Sequence, residues 1–450
     1  MAEITRQQRT EMARRARQIH QARRRAGDTP EQIASAIADQ LPHLLPLEVW
    51  RLAHGWTRAE VIERVRRLYA ERGLPAPPVN EQMLCRWEHG ARSPSAEYEH
   101  MLCRVYDITR EQLGYGAYRP DNTEGDEPMR RRTLLTTAGL GMPLPILQAL
   151  EDALVLPPQP DRPEDTMQVR RRLKHAHRLY SASALPPLIE TLPGLLAAAQ
   201  DTAGRLDTPA AWALAADCYV LAAETLHKVG RRSSAMLTAD RAVHSAARSG
   251  NMVAEAAAAR VMGMTLRASG RHQVAAGLID RAASRVEATG LRTSAQAWWF
   301  MRLLVASGYT AAWVGDQRHA MDRIAEAERV SRLAVLPTDR LRPHLRLFRM
   351  NFHDALGDPE AALREGRDLH EGVWETAERA ARWHTNIASA SWGMGRVEDT
   401  VRALRAASAL APDEVRYRPR VRQIADQVVE RYPRTAGVRE LAAAIGRHRT

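Results

Sequence analysis

The sequence predicts an all-α protein, in which a bundle of short helices precedes a long α-solenoid. Composition is the first reason: alanine, leucine, arginine and glutamate dominate, aromatic residues are only 5%, and long β-branched runs are scarce, a balance that favours helix over strand. The second is a glycine that recurs between helical segments, at Gly230, Gly270, Gly315, Gly357 and Gly395. The intervals of about 40, 45, 42 and 38 residues are a period typical of stacked helical hairpins. The third is a series of helix start and stop signals in the first quarter of the chain.

Residues 1–40 read as a basic helical arm. It carries Arg14, Arg15, Arg17, Arg23, Arg24 and Arg25 before a break at Gly27-Asp28-Thr29-Pro30, and a second short helix covers Glu31–Gln40. These arginines either touch phosphates or form a solvated face. From Leu47 to His54 a helix ends at Gly55-Trp56. Thr57 then caps a helix from Arg58 to about Tyr69, with Glu60 completing a capping box. Gly73, Pro75, Pro77 and Pro78 interrupt the pattern before a helix started by Asn80 and stopped at Gly90. Ser95–Tyr106 and Thr109–Leu113 supply two more.

The Asn80 helix is the candidate functional element. Val79, Leu84 and Trp87 fall on one apolar face, leaving Glu81, Gln82, Cys85 and Arg86 to look outward. Polar side chains in the first turns of a short helix suit base reading in a DNA major groove. The formal charge of +12 and pI of about 10.2 also favour an anionic partner. The basic residues are almost all arginine, with lysine only at Lys174 and Lys228. Arginine suits bidentate phosphate and guanine contacts, although a GC-rich genome would produce the same bias.

Residues 116–164 read as a linker containing an amphipathic helix. Met129-Arg130-Arg131-Arg132 leads into an apolar segment ending near Leu150, which a preceding folded domain distinguishes from an export signal. Residues 165–450 form the repeats. After most of the recurring glycines a small residue (Ala235, Ala275, Ala320, Ala361) lets the second helix of a hairpin approach the first. Within the repeats Trp298, Trp299, Phe300, Tyr309 and Trp313 either line a concave surface or form inter-repeat core. Arg302, Arg346, Arg349 and His353, on neighbouring repeats, are candidates for a basic groove that takes an acidic peptide or a carboxylate, or they are solvated.

Several classes are disfavoured. Three scattered cysteines (Cys85, Cys103, Cys218) suit neither a zinc site nor a disulfide framework and fit a reducing cytoplasm. There is no apolar run of membrane-spanning length, and the first residues lack a secretory core. Phosphate-loop, nucleophile-elbow and His-Glu-x-x-His motifs are missing, so no catalytic residue, cofactor or metal is expected.

Arg86-Trp87-Glu88-His89-Gly90-Ala91-Arg92-Ser93-Pro94, followed by Tyr98, Leu102, Tyr106 and Leu113, resembles the phage-repressor-like (XRE) helix-turn-helix domain, over residues 41–115. The region 165–450 resembles degenerate tetratricopeptide repeats. Joined in one chain they resemble actinobacterial transcriptional regulators and, more distantly, peptide-pheromone-sensing regulators. That resemblance implies a helix-turn-helix domain followed by a tetratricopeptide-like α-solenoid. It also implies a homodimer on double-stranded DNA, and a repeat domain that binds a peptide or small-molecule effector or mediates dimerisation. By the family pattern Thr57 and Arg58 contact phosphate. Asn80 starts the recognition helix, Glu81, Gln82, Cys85 and Arg86 face the groove, Arg92 sits near the backbone, and Glu88 is structural. The chain departs from the family at Arg66–Pro78, where an elongated helix end and a proline-rich loop replace a short turn. The competing expectation is a repeat scaffold whose helix-turn-helix no longer reads DNA.

Overall fold

The computed structural model describes residues 6–71, 79–89, 94, 96–109, 112–113, 143–158, 162–333, 336 and 338–446. Among the described residues the protein is all-helical, with no strand. The chain divides into two compact units, Met1–Glu127 and Pro128–Thr450.

The first unit holds α1 (Arg6–Arg25), α2 (Pro30–Gln40), α3 (Pro46–Ala53), α4 (Arg58–Glu71), α5 (Glu81–Glu88) and α6 (Ala96–Tyr106). The segment expected as a basic arm is built into this unit. Ala16 and Ile19 of α1 and Ile33 and Ile37 of α2 share one apolar core with Leu47, Trp50, Val61, Leu84, Trp87 and Leu102. The spacing of Ala16 and Ile19 puts one stripe of α1 inward and leaves Arg14, Arg15, Arg17, Arg23, Arg24 and Arg25 exposed. A capping box between Thr29 and Gln32 starts α2, which fixes the break after α1. The Trp50 indole N–H donates to the Gln112 carbonyl at 3.0 Å, tying the segment that follows α6 back to α3.

The second unit starts with α7 (Leu144–Val155). Leu147, Leu150 and Leu154 bury this expected linker helix against the repeats. Arg231 clamps it by donating to Glu151 at 2.9 and 2.7 Å. Then follow α8 (Thr166–Ser181) and α9 (Leu185–Leu206), and five hairpins. These are α10 (Pro209–Lys228) with α11 (Arg232–Ser249), α12 (Met252–Ala268) with α13 (His272–Glu287), α14 (Ser294–Val314) with α15 (Gln317–Val330), α16 (Thr338–Leu356) with α17 (Pro359–Gly366), and α18 (Ala377–Gly393) with α19 (Val397–Leu410). Three short helices end the unit: α20 (Pro412–Arg416), α21 (Pro419–Arg431) and α22 (Val438–Ala444).

Each recurring glycine sits in the turn between the two helices of a hairpin, with φ between 73° and 100°. A side chain there would meet the carbonyl that follows, so this turn selects glycine. Ala235, Ala275, Ala320 and Ala361 are buried at the start of the second helix, where a larger residue would push the pair apart. Gly263 shows the same closeness inside a hairpin: a Cβ there would lie 2.5 Å from Ile279.

The first helices of the hairpins (α10, α12, α14, α16, α18) pack on one another as well as on their own partners. They form an inner wall, and the second helices lie outside it. This explains why α10 and α14 are apolar almost all round while α11 and α15 are amphipathic.

The array also closes on itself. Lys228, at the end of α10, donates to Glu378 of α18 at 2.8 Å and to Glu414 of α20 at 2.6 Å. The Ser183 hydroxyl donates to Glu414 at 2.6 Å, and the Leu185 N–H to Asp413 at 3.0 Å. Burial disfavours the Lys228 ammonium, but Tyr180, Glu378 and Glu414 together outweigh it and raise its pKa. Both carboxylates are held below their ordinary range by Lys228 and neighbouring arginines, against the opposing effect of burial.

Candidate nucleic-acid interface

Helix α4 begins with the expected capping box. The Glu60 N–H donates to the Thr57 hydroxyl at 3.2 Å, and the Glu60 carboxylate accepts from the Thr57 N–H at 2.7 Å and its hydroxyl at 2.9 Å. The last two bonds hold Glu60 below its ordinary pKa. Helix α5 begins at Asn80, whose side chain accepts from the Met83 N–H at 2.9 Å. Met83 joins Leu84 and Trp87 on the buried face. Trp87 packs on Tyr98 of α6 with ring centroids 5.1 Å apart.

A buried carboxylate fixes α5 against the two helices before it. Glu88 has no solvent exposure. It accepts from Arg51 of α3 through Nε and, at 3.0 Å, through Nη2, and from Arg58 of α4 through Nε at 2.8 Å. Arg51 also donates to the Trp56 carbonyl at 3.1 Å. Glu48 adds a second carboxylate 3.6 Å from Arg51, 3.9 Å from Arg58 and 3.9 Å from His89. Burial pulls the Arg51 pKa down, but Glu88 and then Glu48 outweigh that and raise it.

The sequence-derived site residues therefore separate. Glu81 and Gln82 are exposed on α5, and Cys85 and Arg86 are half-buried beside them. The Cys85 thiol lies 3.6 Å from His89 Nδ1. Thr57 and Arg58, expected on phosphate, are engaged inside the unit, Thr57 in its cap and Arg58 on Glu88. Arg92 lies outside the described residues, as do residues 72–78 of the insertion. Arg51 went unnoticed in the sequence. The available signal was the i,i+3 pair Glu48/Arg51 inside an otherwise apolar run.

The residues named in the repeats also fall into groups. Trp298, Trp299 and Tyr309 pack against the core of α13–α16, with Tyr309 stacked on Phe352 at 6.0 Å and edge-on to Trp313 at 6.3 Å. Arg346 and Arg349 border a depression of about 500 Å³ shared with Glu328, Arg342 and Glu365. There Arg349 pairs with Glu328 at 2.8 Å and Arg346 with Asp368 at 2.9 Å. His353 is half-buried, and burial lowers its pKa against the pull of Glu365 and Asp358. Arg302 is apart from these three, on the inner wall.

No helix of the described residues is long and apolar enough to cross a membrane. Compared with models of known protein families and with curated proteins, the chain finds no match in either.

Proposed function

We propose that the chain is a sequence-specific DNA-binding transcriptional regulator of the XRE helix-turn-helix type, whose tetratricopeptide-like repeats bind an effector, mediate dimerisation, or both. The observation that carries the reading is α5: a short, Asn-capped helix with polar Glu81, Gln82, Cys85 and Arg86 away from its core face. Glu88 locks it to α3 and α4. A helix that reads bases must be held rigidly by its neighbours, and the Glu88 network supplies that support. The exposed arginines of α1 and the basic balance of the chain add the non-specific phosphate attraction such proteins use. In this reading the protein is a cytoplasmic homodimer on two half-sites. The effector shifts the population between repeat conformations that space the two DNA-binding heads differently.

A gel-shift assay against the DNA upstream of its own coding sequence tests the proposal. The expected result is a salt-sensitive, sequence-selective shift that Arg86→Ala weakens while the fold stays intact. Unchanged affinity and selectivity in Arg86→Ala would remove α5 from the groove. Binding that survives deletion of residues 1–125 would overturn the layout. One observation favours a scaffold that does not read DNA: Thr57 and Arg58 are turned to intramolecular bonds. The absence of any selective shift would decide for it.

A further inference from the structure

The third and fourth hairpins leave a depression of about 500 Å³ between them, and arginine dominates its wall. Arg332 follows the end of α15, and Arg342, Arg346 and Arg349 come from α16. The last three stand at i, i+4 and i+7, so one stripe of the helix carries them all. Buried Leu345 adds an apolar patch to the lining. Like charges at this spacing destabilise a helix unless opposite charge meets them.

Opposite charge meets two of the four arginines. Arg349 pairs with Glu328 at 2.8 Å and lies 3.7 Å from Glu365. Arg346 pairs with exposed Asp368 at 2.9 Å and lies 3.9 Å from the same Glu365. These contacts gather both guanidiniums on one carboxylate and fix their direction, yet the Arg349 Nε–H is buried without a hydrogen-bond partner. Arg332 and Arg342 are exposed, and among the described residues neither side chain has an ion pair or a hydrogen bond. The helix end beside Arg332 brings no free acceptor to compete with an anion. Its last four carbonyls, from Ala327 to Val330, already accept from the Ser331 N–H at 2.9 Å, the Ser331 hydroxyl at 2.8 Å, the Arg332 N–H at 3.1 Å and the Leu333 N–H at 3.0 Å.

We propose that this depression binds the phosphate monoester group of a small molecule. Arg332 and Arg342 contact it directly, flanked by the oriented guanidiniums of Arg346 and Arg349. A phosphate monoester carries a charge of about −1.5 to −2 near pH 7, which two unpaired guanidiniums match better than they match a single carboxylate. Their planar forks also fit its oxygens. The volume falls in the range of small-molecule sites, about 300–1,000 Å³, and Leu345 meets the organic part. Glu328 from α15 and Glu365 from α17 repel a chain of carboxylates laid across the depression, so a compact ligand fits better than an acidic peptide. The site deepens the effector half of the function proposed above and rests on that half.

The test is calorimetric titration of the full-length chain with phenyl phosphate, without DNA and at ionic strength fixed with sodium chloride. Saturable binding of one molecule per chain is expected. Arg332→Gln and Arg342→Gln should each weaken it about tenfold, as the loss of a charge-assisted hydrogen bond does. Neither residue has an intramolecular partner to lose, so both variants should fold. Arg329→Gln, exposed on α15 and outside the lining, should bind as the wild type does. Hydrogen exchange on the wild-type chain gives a readout independent of any variant: phenyl phosphate should slow exchange at the end of α15 and along α16. No saturable binding, slowed exchange only in other helices, or full affinity in a folded Arg342→Gln would each overturn the proposal. Succinate binding as tightly would overturn the phosphate assignment, and hexaglutamate binding without phenyl phosphate binding would decide for an acidic peptide. A failed gel shift beside intact phenyl phosphate binding would sink only the DNA half; a selective gel shift without that binding would sink only this site.

Discussion

Glu88→Ala is the most direct perturbation of the first unit. The carboxylate accepts three charge-assisted hydrogen bonds from two arginines, and none of it is exposed. Removing it leaves Arg51, whose side chain is 10% exposed, with the Trp56 carbonyl at 3.1 Å and Glu48 at 3.6 Å. Breaking a buried pair on one side costs about 3–5 kcal/mol. The residual partners and the 27% exposure of Arg58 favour the low end, about 3 kcal/mol. That is a large share of a typical net stability of about 5–15 kcal/mol. It corresponds to roughly a hundredfold loss of exchange protection, since each 1.4 kcal/mol is about tenfold. Hydrogen exchange on the full-length chain should therefore show α3, α4 and α5 opening together, with the second unit unchanged. DNA binding should fall with them. Protection within about twofold of wild type would refute the claim that Glu88 holds α5 in place.

Two further outcomes are expected. Lys228→Met should speed exchange in α8 and in α20–α21 by freeing two buried carboxylates, at a cost of about 3–5 kcal/mol; Lys228→Arg should not restore protection, because the planar guanidinium cannot take the place of a compact ammonium between Glu378 and Glu414. Gly315→Ala should lower the stability of the repeats by about 1–2 kcal/mol in a thermal or urea melt, since the residue sits at φ 86°.

The elements that were legible in the sequence are those set by local chemistry. Thr57/Glu60 and Asn80 mark helix starts because each cap is satisfied within three residues. The glycines at 230, 270, 315, 357 and 395 mark hairpin turns because a positive φ selects the residue itself. Arg58 shows the opposite case. Nothing near the start of its helix pointed to Glu88, its partner within the unit, which is thirty positions away. The first part of the Arg66–Pro78 insertion is the end of α4, and residues 72–78 lie outside those described.

The sequence by itself therefore determined the helices, their caps and the repeat period, which depend on backbone geometry over a few residues. Tertiary structure decided where the charges go. Lys228, one of two lysines in the chain, gave no local sign that it would meet Glu378 and Glu414. Arg260 looked like any exposed helical arginine, and its partner is Glu224 of the preceding hairpin. Only the stacking of the hairpins, which brings residues 150 and more positions apart into contact, put these partners together. Charge–charge energy depends on distance through space and on the surrounding dielectric, and neither is written in spacing along a chain.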